Sequence, residues 1–254
     1  MKLVRYRRQN QTAYGAVVGG MVHSLTAGPW QSPRLGPAVV PLDEVQLLAP
    51  CEPTKIIAVG RNYAAHAAEH GAEVPAEPLL FLKPPSSVIG PRATIVYPEH
   101  LSAHVDHEAE LAVVIGRRAR LVSQAEALDC VLGYTCANDV TARDLQRRDG
   151  QWTRGKGFDT FCPLGPWIVT DLDIADLAIS CKVNGVVRQA SRTSKMIFPV
   201  SELIAYASAV MTLEPGDVIL TGTPEGVSPI KPGDRVAVEI EGVGILQNEI
   251  ERHG

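Results

Sequence analysis

The chain reads as a β-rich α+β protein, and three observations predict that class. Short runs of β-branched and apolar residues recur along it, separated by turn residues. Helical patterning is confined to a few segments. Hydrophobic residues make up 45% of the 254 positions and charged residues 20%, which suits a sizeable core and excludes a disordered or coiled-coil chain.

In chain order, KLVRYRR, TAYGAVVGG and MVHSL read as strands, followed by a loop through GPWQSPRLGP and a closing segment VQLLAP. They predict a small β module over residues 1–49, a junction at Pro50 and Pro53, and a second unit over 50–254. KIIAVG is a buried-type strand ending in glycine, and YAAHAAEHG is an alanine-rich helix stopped by Gly71. LLFLK and TIVYP are further strands, and DHEAELAVVIG is the clearest one, alternating first and then running apolar. A helix is expected over 123–128, then a strand VLGYTCAND. Thr141 and Asp144 have capping-box spacing, which predicts a helix start in TARDLQRR. Asn184-Gly185 inside CKVNGVVRQ predicts a hairpin. FPVSELIAYASAVMTL is an amphipathic helix, and the Pro-Gly-Asp turns at 215–217 and 232–234 each lead into a β run.

Net charge is −4 and aromatics are 5%, which argues against a nucleic-acid partner. Five cysteines without a CxxC pair predict neither a disulfide framework nor a zinc ribbon, and point to a reducing compartment. No signal peptide or membrane-length apolar run is read, so the expectation is a cytoplasmic protein with no membrane partner.

Chemistry enters with Glu108 and Glu110. Two apart on a strand, they share one face. Taken alone, such a pair more often lies on the solvated face of an edge strand. Here it runs directly into the apolar LAVVIG, so the strand enters a core. Buried like charges repel, and a hard divalent cation relieves this by taking both as oxygen ligands. Asp139, at the end of the strand VLGYTCAND, is the third ligand chosen.

At this point the sequence resembles the fumarylacetoacetate hydrolase superfamily, over residues 51–248. The motifs are GRNYAAHAAEH, LFLKPPSSV, DHEAELAVVIG, GYTCANDVTARDLQ, RGKGFDTFCPLGPW, KVNGVVRQ, TSKMIF and LTGTPEGV, in that order. The resemblance implies a mixed β-roll or sandwich preceded by the N-terminal β module, and a homodimer. It implies that Glu108, Glu110 and Asp139 bind Mg²⁺ or Mn²⁺, and that the substrate is a small 2-oxo acid or its enol, reacting through an enolate. His66 and Glu69 match the family's dyad, and their i, i+3 spacing puts them on one helix face. Without the match, His66 would more often be a surface residue. Lys156 matches an active-site lysine, although its spacing alone better describes a solvated loop lysine. Arg143 and Gln146 match a family segment and are candidates for holding substrate oxygens or carboxylates beside the metal ligands. Thr223 sits in a glycine-rich turn whose hydroxyl and backbone N–H groups could hold a carboxylate. Lys83, Arg61 and Tyr63 are held as pocket residues. Arg147 and Arg148 have no counterpart and are read as surface, and His107 points away from the glutamates.

The reaction implied is C–C hydrolysis (acylpyruvate or fumarylpyruvate type) or isomerisation of a 2-hydroxy-diene-dioate, with oxaloacetate-like decarboxylation as an alternative. A rival is the HxxEH pattern at 66–70, a zinc metallopeptidase signature. It leaves Glu108, Glu110, Asp139 and Lys156 without a role. It would require His70, whereas the metal reading tolerates His70→Ala and not Glu110→Ala. A non-catalytic protein that binds a metal or an oxo acid is the remaining alternative.

Overall fold

The computed structural model of the chain describes residues 1–69 and 71–252. Its architecture follows from one strand, Ala109–Ile115, whose seven residues are all buried. Leu111, Val113 and Ile115 enter one core, while Ala112 and Val114 enter a second core on the opposite face. A strand covered on both sides needs no polar face, so it reads as an unbroken apolar run. Truncating Leu111 to alanine would cost about 2–5 kcal/mol.

This strand lies inside a 12-stranded sheet, between Val131–Asn138 and Val218–Leu220. Beyond the latter come Ile56–Gly60 and Leu79–Lys83. On the other side the order is Cys162–Val169, Lys2–Arg8, Gln11–Val18, Met21–Leu25 and Leu35–Pro41. A five-stranded sheet, from Val186–Arg192 through Ala178–Val183, Arg235–Ile240 and Gly244–Arg252 to Thr94–Tyr97, covers one face of the first. Its Ile179, Cys181, Val236, Val238 and Leu246 share a core with Leu111 and Val113. A three-stranded sheet joins Val105–Asp106 to Thr141–Ala142 and Pro229–Ile230. The result is the β-rich α+β class that the sequence predicts.

The N-terminal strands extend the large sheet. Lys2 pairs with Val169 and Leu3 with Ile168. Leu3 and Ala16 pack into a core with Ile168, while Val4, Tyr6, Val22 and Val40 form a small cluster of their own. The GPWQSPRLGP loop is shorter than expected, because a strand begins at Leu35 and pairs back onto Leu25.

Four α-helices occur among the described residues: α1 (Ala64–Glu69), α2 (Arg143–Asp149), α3 (Thr153–Lys156) and α4 (Val200–Val210). Two helical expectations are corrected. Residues 123–128 form turns leading into a 3-10 helix, Ala127–Cys130. The Ser123 N–H and hydroxyl both donate to Glu126, which closes one turn locally, while Ser208 ties down the chain just before it. The capping box at α2 does not form. Thr141 belongs to the three-stranded sheet and its hydroxyl donates to the Asp139 carbonyl, while the Asp144 carboxylate accepts from Ser102 and Ala103. The Asn184-Gly185 hairpin is present, with φ of 52° and 81° at the two turn residues, as a type I′ turn requires.

All five cysteines are free and buried, and burial pushes the Cys162 thiol up to about 12. No described helix is long and apolar enough to cross a membrane.

Candidate active site

The register of the central strands assembles the acidic cluster. Ala109 pairs with Asn138, so the next residue on each strand is brought face to face: Asp139 donates its N–H to the Glu108 carbonyl at 2.9 Å. The Asn138 side chain accepts from the Glu108 N–H at 2.9 Å. Glu108 therefore sits just before the strand that carries Glu110, a small correction to the expectation of one continuous strand. The convergence survives it. Glu108, Glu110 and Asp139 each offer an oxygen within 4.8 Å of the others, and all three are buried.

Buried cations surround the cluster. Lys156, on α3, donates to Glu108 at 2.7 Å and to Asp139 at 2.6 Å. Lys83 donates to the other Asp139 oxygen at 2.6 Å. Arg143, on α2, spreads its guanidinium over Asp106 (2.8 Å), Gln146 (2.7 Å) and Glu108 (2.5 Å). Burial would weaken the charged form of Glu108, but Lys156 and Arg143 outweigh it and hold that carboxyl well below the usual range. Likewise, burial works against the Lys156 ammonium and Arg143 guanidinium, while the adjacent carboxylates keep both above their ordinary values.

Glu110 is the exception. No cation hydrogen-bonds to it among the described residues; it accepts only the Gly222 N–H, at 2.7 Å. That bond depends on glycine, because Gly222 has φ of 95° and a Cβ there would lie 2.6 Å from Asn62. Burial, Asp139 and Glu108 together push the Glu110 carboxyl well above its ordinary range. Four buried carboxylates (Asp106, Glu108, Glu110, Asp139) thus face three buried cations (Lys83, Arg143, Lys156). The cluster lacks positive charge where three oxygen ligands converge. That donor set fits a hard divalent cation.

A cleft of about 530 Å³ opens above the cluster, lined by Glu108, Glu110, Asp139, Lys156, Arg143, Gln146, His66, Glu69, Arg61 and Thr223. His66, buried on α1, places Nδ1 3.3 Å from Glu69, whose carboxylate also accepts the Gly226 N–H at 3.1 Å. Burial, helped by Arg143 and Lys156, lowers the His66 pKa against the pull of Glu108 and Glu69, which favours the neutral imidazole. Arg61 adopts a left-handed φ of 58°, a sparsely populated conformation for a residue with a side chain.

Two expected pocket residues lie elsewhere. Lys83 sits behind Asp139 and does not line the cleft, because its ammonium is spent on Asp139 and on the Val140 and Lys156 carbonyls. Tyr63 is also off the cleft; its backbone bridges to Met196 and its ring is buried. Thr223 lines the cleft, but its hydroxyl donates to the Ala109 carbonyl. The Gly222 and Gly226 N–H groups beside it serve Glu110 and Glu69, so this turn offers no free donor set of those groups for a carboxylate. His70 of the HxxEH pattern lies outside the described residues.

Sequence reading missed Phe81 and Trp152, which also line the cleft, and Asp106, which anchors Arg143. Arg147 is exposed, as expected of a surface residue, and also lines the cleft. Phe81 and Trp152 meet edge to face at 5.1 Å. A tryptophan beside a lysine-bearing turn is the one signal that could have pointed there. His107 turns away from the glutamates, as expected, and bonds Gln189 and Ser228.

Residues 55–251 match the family described as fumarylacetoacetate (FAA) hydrolase C-terminal, and residues 1–50 match Rv2993c-like, N-terminal. A 5-carboxymethyl-2-hydroxymuconate delta-isomerase from Mycobacterium smegmatis superposes with a TM-score of 0.93 at 49% identity, covering 100% of both chains. A fumarylpyruvate hydrolase from Pseudomonas aeruginosa, in complex with Mn²⁺ and pyruvate, gives a TM-score of 0.74 at 35% identity, over 78% of this chain and 90% of that one. A mitochondrial oxaloacetate tautomerase of Bos taurus is 47% identical over 84% of this chain and 71% of its own length.

Proposed function

The chain belongs to the fumarylacetoacetate hydrolase family, and from that premise we propose a Mg²⁺- or Mn²⁺-dependent enzyme that moves a proton between the keto and enol forms of a small 2-oxo acid. The observation that carries this reading is the buried cluster of Glu108, Glu110 and Asp139, short of positive charge at Glu110. Those three side chains would hold the cation. When bound, it supplies Lewis acidity for a 2-oxo carboxylate.

The chain's own residues do the rest. His66 is buried, neutral and oriented by Glu69, which suits it to take a proton from the carbon beside the keto group and return it elsewhere. Lys156 stays charged beside Glu108 and Asp139 and faces the cleft, where it stabilises negative charge on a substrate oxygen. Arg143 and Gln146, bonded to each other, form one polar wall, while Phe81 and Trp152 form an apolar one. Full-length similarity to an isomerase favours a proton shift over C–C cleavage. Hydrolysis is the second reading, favoured by the likeness to the fumarylpyruvate hydrolase; the same base would then activate a water. The zinc peptidase and non-catalytic alternatives leave the acidic cluster or the dyad without a use.

The test is product analysis with Mg²⁺ on enol-oxaloacetate, 2-hydroxyhepta-2,4-diene-1,7-dioate, 5-carboxymethyl-2-hydroxymuconate, acylpyruvates and fumarylpyruvate. Isomer or tautomer conversion without bond cleavage supports the reading. Cleavage products alone, or carbon dioxide from oxaloacetate, would replace it with hydrolysis or decarboxylation. The proposal includes a cytoplasmic homodimer whose partners are small molecules, with residues 1–49 as an accessory module; light scattering tests the dimer.

A further inference from the structure

Gln189 is fully buried on the strand Val186–Arg192, and no step above uses it. Two backbone partners fix its amide. The Ala109 N–H can only donate, so the Gln189 atom 2.9 Å away is the oxygen. The Pro224 carbonyl can only accept, so the atom 2.7 Å from it is the nitrogen. The second amide N–H then donates to Thr223 Oγ1 at 2.8 Å, and the Thr223 hydroxyl passes its own proton to the Ala109 carbonyl at 2.9 Å. His107 closes the network. Its Nδ1, 3.1 Å from the Gln189 oxygen, must carry the hydrogen, which leaves Nε2 to accept from the Ser228 hydroxyl at 2.9 Å.

This accounting decides what Thr223 offers the cleft. A hydroxyl has one proton and two lone pairs. The proton is spent on Ala109 and one lone pair on Gln189. Turning the hydroxyl toward a ligand oxygen would strand the buried Ala109 carbonyl. What remains is a single lone pair, on a residue that lines the cleft beside the carboxylates. A keto oxygen or carboxylate finds no proton there, whereas a ligand O–H finds an acceptor. An enol differs from its keto tautomer by such an O–H.

We infer that Gln189, steadied by His107, is a positioning residue that keeps the Thr223 hydroxyl as an acceptor for a ligand O–H, so that the cleft favours the enol or 2-hydroxy form of its acid over the keto form. The inference rests on the proposed 2-oxo acid reading. Lactate and pyruvate are the probes, because they share charge and carbon skeleton and differ by that O–H.

With Mn²⁺-loaded full-length protein, calorimetry should show Thr223→Val weakening racemic lactate roughly tenfold, one hydrogen bond's worth, with pyruvate changed by less than about twofold. Thr223→Ser should restore lactate binding. Gln189→Met removes the donor that holds Thr223 Oγ1 in place and should shrink the preference for lactate over pyruvate, with Mn²⁺ affinity unchanged. The ¹⁵N shifts of His107 should report the Nδ1–H tautomer. Equal losses for both ligands in Thr223→Val, a loss for pyruvate alone, or the opposite His107 tautomer would overturn the assignment. Wild-type protein that binds neither acid with Mn²⁺ would overturn both this assignment and the proposed function; binding of both with equal losses overturns only the assignment.

Discussion

The floor and the rim of the cleft are built in opposite ways. On the floor, Glu108, Glu110, Asp139, Arg143 and Lys156 are at most 4% exposed; Arg143 and Lys156 lock Glu108 and Asp139 in place, and the Gly222 N–H holds Glu110. Sheet register places the first three, and α2 and α3 deliver the other two. On the rim, His66 and Glu69 ride a six-residue helix, and Glu69 is exposed and tied across the cleft through Gly226. A helix that short holds its shape through its contacts rather than its own hydrogen bonds. Under the proposed function the contrast implies a division of labour: the floor holds the cation and the substrate's charge, and the rim supplies the base.

The sharpest way to break that division is on the floor. Glu110→Ala should abolish Mn²⁺ binding and lower turnover by about 10³-fold or more, read by calorimetry and steady-state kinetics. A variant with normal metal affinity would place the ligands elsewhere. On the rim, His66→Ala should lower kcat by about 10²–10⁴-fold and leave Mn²⁺ affinity unchanged. If metal affinity falls with it, floor and rim are not separable.

Smaller effects sharpen the same contrast. Glu69→Gln keeps a hydrogen bond to His66 but loses its charge, so kcat should drop about tenfold with KM little changed. The pH profile should show an acid limb whose midpoint lies below 6.5, the ordinary imidazole value, because burial lowers the His66 pKa. The sign for stability agrees. Between the lowered folded pKa and 6.5 the unfolded chain binds a proton that the native state does not. The stability from His66 is therefore complete above pH 6.5 and lost as pH falls through the folded value. A limb centred above 6.5 would show that Glu108 and Glu69 outweigh burial and the nearby Arg143 and Lys156.

Much of the floor was legible in the sequence because it depends on local patterns. Glu108 and Glu110 two apart, an apolar run after them, and Asp139 at a strand end are enough to propose convergence. The Asn184-Gly185 turn and the Pro-Gly-Asp turns were legible for the same reason: few residue types tolerate those backbones. What was illegible depends on distant partners. Thr141 and Asp144 look like a capping box, yet Val105–Asp106 and Ser102 claim them first. Lys83 is expected in the pocket, and only the fold shows its ammonium behind Asp139, off the cleft. The N-terminal strands read as a module apart, and only pairing of Lys2 with Val169 shows that they extend the large sheet.

One titration reaches the centre of the account. Mn²⁺ is added to the metal-stripped chain and to a variant carrying Glu108→Gln, Glu110→Gln and Asp139→Asn, with folding of both checked by circular dichroism. The account predicts one tightly bound ion per wild-type chain and none in the folded variant. A folded triple variant that still binds the ion, or still turns over substrate in the presence of chelator, would contradict it.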